Sequence, residues 1–121
     1  MSKIDVTIEG HQALLTINNP PANTWDGESL PLLRDTIAEM NENREVYSLV
    51  LTGEGEKFFS AGADLNMFAD GDIANARRMA VEFGSAFETL SQFRGVSIAA
   101  INGFAMGGGL EAAMCCDIRV A

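Results

Sequence analysis

Val6, Ile8 and the run Leu14 to Ile17 place apolar side chains in two β-prone stretches with Gly10-His11 between them, which predicts a short hairpin. Asn18-Asn19-Pro20-Pro21-Ala22-Asn23 then breaks regular pairing and reads as a loop. Leu30, Leu33, Ile37 and Met40 recur at helical spacing, with polar Arg34, Asp35 and Glu39 between them. The spacing predicts a helix from about Asp26 to Asn43, with Pro31 near its first turn, where a missing N–H costs little.

Ser48-Leu49-Val50-Leu51-Thr52 is a continuous apolar run ended by Gly53, the pattern of a strand buried on both faces. Gly53 to Gly62 reads as a loop carrying glycine and charge. Met79, Phe83, Phe87 and Leu90 share one face of a second predicted helix, with Asp70 or Asp72 as its N-cap. Ser97 to Ile101 is a second buried strand. A glycine cluster opens a third helix around Leu110 to Cys115, and Asp117 to Ala121 reads as the start of another strand. Strands alternating with helices after residue 25 predict an α/β fold with a parallel sheet. A sheet ending on that last strand would present an unpaired apolar edge, so residues 1–121 are expected to be the first part of a longer protein.

The 121 residues fit one small domain, and 47% hydrophobic with 21% charged residues is a globular composition. Seventeen acidic residues against eight Lys and Arg give a net charge of −9. That excludes the basic surface wanted by nucleic acid or an anionic membrane, yet leaves room for an anionic small ligand held by local N–H groups. The only cysteines, Cys115 and Cys116, are adjacent and form no disulfide framework. With no cleavable leader and no run long enough to span a bilayer, a cytoplasmic protein is expected. The single histidine, His11, falls in a predicted turn, and no metal site is expected.

Two glycine-bearing loops follow consecutive predicted strands, and in open α/β sheets ligands gather at the carboxyl ends of strands. The first is Phe58-Phe59-Ser60-Ala61-Gly62-Ala63-Asp64-Leu65, the second Asn102 to Glu111 with Gly107-Gly108-Gly109. Free N–H groups at a helix start carry partial positive charge, and without side chains a ligand atom can approach them. Glu111 lies three residues after Gly108 on the same face, so a carboxylate stands beside the donors. The ordinary alternatives stay open: a Gly-rich turn serving helix–strand packing, a first-turn Glu favoured by the dipole, an N-capping Asp64 and a solvated Lys57.

Taken together, the Asn19-Pro20-Pro21-Ala22-Asn23 loop, the Leu49 to Gly53 strand, Phe59 to Leu65, and Ala99 to Gly103 through Gly107-Gly108-Gly109-Leu110-Glu111 to Asp117 resemble the crotonase (enoyl-CoA hydratase/isomerase) superfamily. The resemblance implies a crotonase-like (ClpP/crotonase) α/β fold, with residues 1–121 the N-terminal portion of its ββα-repeat core. It implies that the backbone N–H groups of Ala63 and Gly108 form an oxyanion hole for an acyl-CoA thioester. Glu111 matches the first of two glutamates that handle water and a proton, the second lying beyond Ala121. Ala22, Lys57, Ala61, Asp64 and Leu65 match positions that line the CoA site. The implied protein is an enoyl-CoA hydratase assembled as a homotrimer or dimer of trimers, needing no cofactor besides the CoA of its substrate. Where the family carries Lys-Pro before the third strand, this chain has Arg94-Gly95-Val96, a change expected to affect only the strand entry.

Competing readings are an isomerase or another acyl-CoA enzyme on the same oxyanion hole, a non-catalytic acyl-CoA-binding fragment, and a dinucleotide-binding oxidoreductase. The last rests on a loose G-x-G-x-x-A match at Gly107 to Ala112, but Asn102 to Met106 separate that match from the strand, and Glu111 would set a negative charge near a pyrophosphate. No G-x-S-x-G elbow is present to support a serine hydrolase.

Overall fold

A computed structural model describes residues 2–121. The hairpin forms from β1 (Ile4–Glu9) and β2 (Gln12–Ile17), antiparallel, with Ile4 opposite Ile17 and Glu9 opposite Gln12. Helix α1 (Ser29–Glu42) carries the chain to β3 (Ser48–Gly53), which pairs parallel to β2. Then come β4 (Phe58–Ser60), a 3-10 turn over Leu65–Phe68, and α2 (Ile73–Ser91). The chain closes with β5 (Val96–Ala100), β6 (Phe104–Ala105), α3 (Gly108–Met114) and β7 (Ile118–Val120).

The main sheet has the order β1-β2-β3-β5-β7, and β4 and β6 form a separate two-stranded parallel sheet. Two strands and a helix therefore recur three times, as β1-β2-α1, β3-β4-α2 and β5-β6-α3. This is the ββα arrangement expected from the sequence. Leu49 and Leu51 of β3 are fully buried and Val50 nearly so, which agrees with a strand covered on both faces. The core runs from Leu15, Ile17 and Leu51 of the sheet to Leu30, Leu33 and Ile37 of α1 and to Met79, Phe87 and Leu90 of α2.

The helix ends differ from the sequence reading for local reasons. Assigned helix begins at Ser29 rather than Asp26, yet Asp26 is the cap in chemical terms. Its Oδ1 accepts the N–H groups of Glu28 and Ser29 at 2.9 and 2.8 Å, its carbonyl accepts from Leu30, and Ser29 Oγ accepts from Asp26 N–H. Of the two proposed caps of α2 it is Asp72 that accepts from Ala74 N–H. Helix α3 starts at Gly108, two residues before the expected start, with Gly107 as N-cap.

The segment Gly53 to Gly62 is not all loop, because β4 lies within it, and β6 lies within the second glycine loop. Two strands of three and two residues are too short to show a period, and they exist because they pair with each other, Phe58 opposite Phe104. The Arg94 substitution reaches beyond the strand entry. Its guanidinium donates to the carbonyls of Met40, Asn41, Asn43 and Val46, closing the carboxyl end of α1 where helix carbonyls lack partners. Gly95 is required beside it, since a Cβ there would lie 2.2 Å from the Tyr47 carbonyl oxygen.

Candidate active site

The carboxyl ends of β3 and β5 deliver the two glycine loops to one place, and polar side chains lock them there. Asn102, just past β5, donates from Nδ2 to the carbonyls of Gly53 and Gly55 and accepts at Oδ1 from Gly53 N–H and Thr52 Oγ1. Buried Asn23 donates to the carbonyls of Glu54 and Phe58 and accepts from Asn19 N–H, which ties the Pro20-Pro21 loop to the same corner. All four capacities of Asn102 and the three used by Asn23 serve loop geometry.

The two loops touch at Gly62 and Gly108. A Cβ on Gly62 would lie 2.8 Å from the Met106 carbonyl oxygen and 3.0 Å from the Gly108 nitrogen, and its φ of +95° is a conformation only glycine adopts freely. Gly62 donates to Ser60 Oγ, and the Ser60 carbonyl accepts from Met106 N–H at 3.0 Å.

Each loop presents an open N–H where the two meet. The Gly62 carbonyl accepts from Trp25 N–H at 2.8 Å, and Asp64 N–H donates to the Trp25 carbonyl at 2.9 Å, so a single parallel bridge joins Trp25 to Ala63. In such a bridge the N–H of Ala63 points away from Trp25. On the second loop the Gly107 carbonyl accepts from Glu111 N–H at 3.0 Å, which fixes the peptide carrying the Gly108 N–H. In a trans peptide the N–H points opposite to the carbonyl, so bonding each carbonyl directs each N–H outward. Neither the Ala63 nor the Gly108 N–H has an acceptor among the described residues. Two free donors near one helix start can hold an oxygen that gains negative charge.

Glu111 sits in the first turn of α3, exposed, on the wall of a groove of about 580 Å³. Phe83, Gly84 and Phe87 of α2 face Met114 of α3 and its C-cap Cys115 across this groove, so its walls are mostly apolar. Burial and the Glu111 charge both push the Cys115 thiol up, and Cys116, buried deeper, is pushed up to about 11, chiefly by burial. Both sulfurs are free, and neither is a thiolate at neutral pH.

The remaining residues singled out in the sequence do not line this groove. Ala22 and Ala61 are brought together, the Ala61 N–H donating to the Ala22 carbonyl at 3.0 Å. Lys57 is exposed with its ammonium 5.6 Å from the centre of the Phe58 ring, and its carbonyl accepts from Phe104 N–H. Asp64 caps the 3-10 turn through Asn66 N–H, as the sequence suggested, and Leu65 is 79% exposed, a large apolar side chain open to solvent. His11 stacks on Tyr47 at 4.0 Å in its turn, far along the chain from the site. No group of three His, Cys, Asp or Glu among the described residues is arranged to hold a metal, and no described helix is long and apolar enough to cross a membrane.

Sequence reasoning missed Trp25. It is fully buried, touches both loops, and donates from Nε1 to the Gly108 carbonyl at 3.2 Å across 83 residues of chain. The one available signal was that it is the only tryptophan, two residues after the Asn23 loop.

Residues 7–121 match the model of the enoyl-CoA hydratase/isomerase family. The short-chain-enoyl-CoA hydratase of Clostridium acetobutylicum is 40% identical over 114 residues, covering 93% of this chain and 44% of that protein. The crotonyl-CoA hydratase of Syntrophomonas wolfei is 38% identical, over 90% of this chain and 42% of its own length. Among solved structures, Pseudomonas aeruginosa DspI superposes with a TM-score of 0.96 at 66% identity, covering 98% of this chain and 49% of that one. The enoyl-CoA hydratase of Bacillus anthracis gives a TM-score of 0.93 at 33% identity, over 98% of this chain and 46% of that one. The chain thus spans less than half the length of these relatives.

Proposed function

The chain belongs to the enoyl-CoA hydratase/isomerase family and has the crotonase fold, and from that membership we propose that the whole protein adds water to a trans-2-enoyl-CoA to give a 3-hydroxyacyl-CoA. The observation that supports this reading most is the contact of Gly62 with Gly108, which gathers two open N–H groups beside a carboxylate.

In the proposed reaction the thioester oxygen accepts hydrogen bonds from Ala63 and Gly108. Water oxygen attacks C3, the double-bond electrons shift toward the thioester, and an enolate forms on its oxygen. The two N–H groups stabilise this charge more than they stabilise the neutral carbonyl, and that difference lowers the barrier. Glu111 orients the water and takes its proton, one helical turn from the donor at Gly108. A second carboxylate, outside residues 1–121, supplies the proton to C2. The acyl chain lies along the apolar groove between α2 and α3. The CoA portion crosses the rim at Ala22, Ala61, Asp64 and Leu65, with Lys57 meeting a phosphate. The Ala61 N–H is already occupied by Ala22, so Ala61 meets the ligand through other atoms. The reading calls for no metal and no cofactor beyond the CoA of the substrate, and it includes assembly as a trimer or a pair of trimers.

The test uses the full-length protein and a short trans-2-enoyl-CoA, following loss of the enoyl-thioester absorbance and identifying the product. Hydration is expected, with Glu111→Gln lowering kcat by about 10²–10⁴-fold and leaving CoA affinity nearly unchanged. An unaltered kcat in that variant would remove Glu111 from the reaction. Movement of the double bond without added water would replace hydration by isomerisation.

A further inference from the structure

We propose that Trp25 is the positioning residue of the thioester site, holding the Ala63 and Gly108 donors in register; this rests on the hydratase reading above. Three bonds from one residue carry the argument. Trp25 N–H binds the Gly62 carbonyl, which sets the plane of the peptide bearing the Ala63 N–H. The Trp25 carbonyl accepts from Asp64 N–H and so fixes the next peptide. Its indole Nε1–H reaches the other loop and donates to the Gly108 carbonyl.

The indole bond matters because it is the one side-chain bond to the Gly108 peptide that comes from the other donor loop's partner, adding to the backbone bonds of Met106 and Glu111. Gly107 has φ +51° and nothing within 4 Å of a would-be Cβ, so no side-chain packing holds that face of the turn. At Gly108 the added Cβ would lie 3.1 Å from Phe83 Cε1 and 3.4 Å from Trp25 Cδ1, which places this residue against two rings. The indole itself is held edge-on by Phe87, with ring centres 5.9 Å apart, and Phe87 in turn packs edge-on against Phe83. A rigid, fully buried ring therefore connects the α2 wall of the groove to both donor loops. Hydrogen-bond donors accelerate a reaction only when already aimed at the place where charge develops. A donor that drifts loses that benefit while the bulk of the ligand still binds.

The test replaces Trp25 in the full-length protein by benzothienylalanine, which keeps the bicyclic shape but carries sulfur in place of N–H; Trp25→Phe serves as the second variant. Three quantities are measured: kcat for a short trans-2-enoyl-CoA, the Kd of CoA, and the infrared carbonyl stretch of the bound enoyl thioester. With the sulfur isostere, kcat is expected to fall by roughly 5–10-fold, the loss of one hydrogen bond, and the stretch to move toward its value in free ligand while the Kd holds. The Phe variant is expected to move kcat and the stretch further in the same direction, again with the Kd held. Wild-type kcat and stretch in both variants would overturn the proposal. So would a parallel loss of CoA affinity, which marks a structural role alone. Absence of hydration and of any displaced stretch in the wild type would instead overturn the hydratase reading, and this proposal with it.

Discussion

At Gly109 an added Cβ would sit 2.1 Å from the carbonyl oxygen of Ser60 and 2.9 Å from its Cβ. Backbone cannot yield there, because that carbonyl also accepts from Met106 N–H and Ser60 Oγ accepts from Gly62 N–H. The three glycines at the start of α3 therefore differ in what they do. Gly107 supplies a left-handed turn, Gly108 presents its N–H, and Gly109 lets α3 press onto β4. Gly109→Ala is expected to destabilise the protein by at least about 2 kcal/mol, read by denaturant unfolding, and to abolish turnover through displacement of Gly108. A variant of wild-type stability would show that α3 can move off Ser60. Sequence pattern made the cluster conspicuous but could not assign these separate duties, which depend on a neighbour 49 positions away at Ser60.

At the scale of the element, α1 shows how a helix end serves a site it does not enter. Asp26 caps α1 immediately after Trp25, so the cap fixes where the chain leaves the donor loop. Burial by itself would raise the Asp26 carboxyl, but hydrogen bonds from Lys3 and from the Ser29 and Glu28 amides, with the Lys3 charge, hold it below its ordinary value of 3.8. A group with a lowered folded-state pKa stabilises the fold above its unfolded pKa, and that contribution is lost as the pH falls through the folded value. Lys3, raised above 10.5 first by its hydrogen bond to Asp26, contributes below 10.5 for as long as Asp26 stays ionised, and loses that contribution as the pH rises through its folded value. Asp26→Asn keeps an oxygen for the two amides, removes the charge, and replaces the Oδ2 that accepts from Lys3 Nζ and Asn19 Nδ2 by a donor. It is expected to melt a few degrees below wild type at neutral pH, with the gap starting to close below pH 3.8 and vanishing in stronger acid. A gap that stays constant through acid would show that the charge contributes nothing.

The same scale shows what was legible in the sequence. Helices α1 and α2 and strands β3 and β5 were readable because each buries a periodic or continuous apolar face, Leu30 to Met40 and Leu49 to Leu51 among them. Strands β4 and β6 were not, because each is created by the other. Glu111, Ala63 and Gly108 were named through family resemblance and loop spacing, whereas Trp25 was not, since its proposed role rests on a bond to a residue 83 positions away. Residue spacing reports what shares a face of one element. It is silent on which buried ring spans two loops.

Across the whole molecule, three ββα units place two loops at the carboxyl ends of neighbouring parallel strands, and the groove between α2 and α3 leads away from their contact. A net charge of −9 makes residues 1–121 a poor general binder of anions, so the proposed recognition of a CoA thioester rests on local N–H groups, apolar surface and Lys57. The chain spans less than half of the relatives it matches, and the full-length protein is the species in which to test this. The most direct measurement is a crystal structure of that protein with a non-reacting acyl-CoA thioester. The account predicts the thioester oxygen at roughly 2.7–3.1 Å from both the Ala63 and the Gly108 nitrogen, with the acyl chain in the α2–α3 groove beside Glu111. A thioester oxygen bonded elsewhere, with those two N–H groups facing solvent, would contradict it.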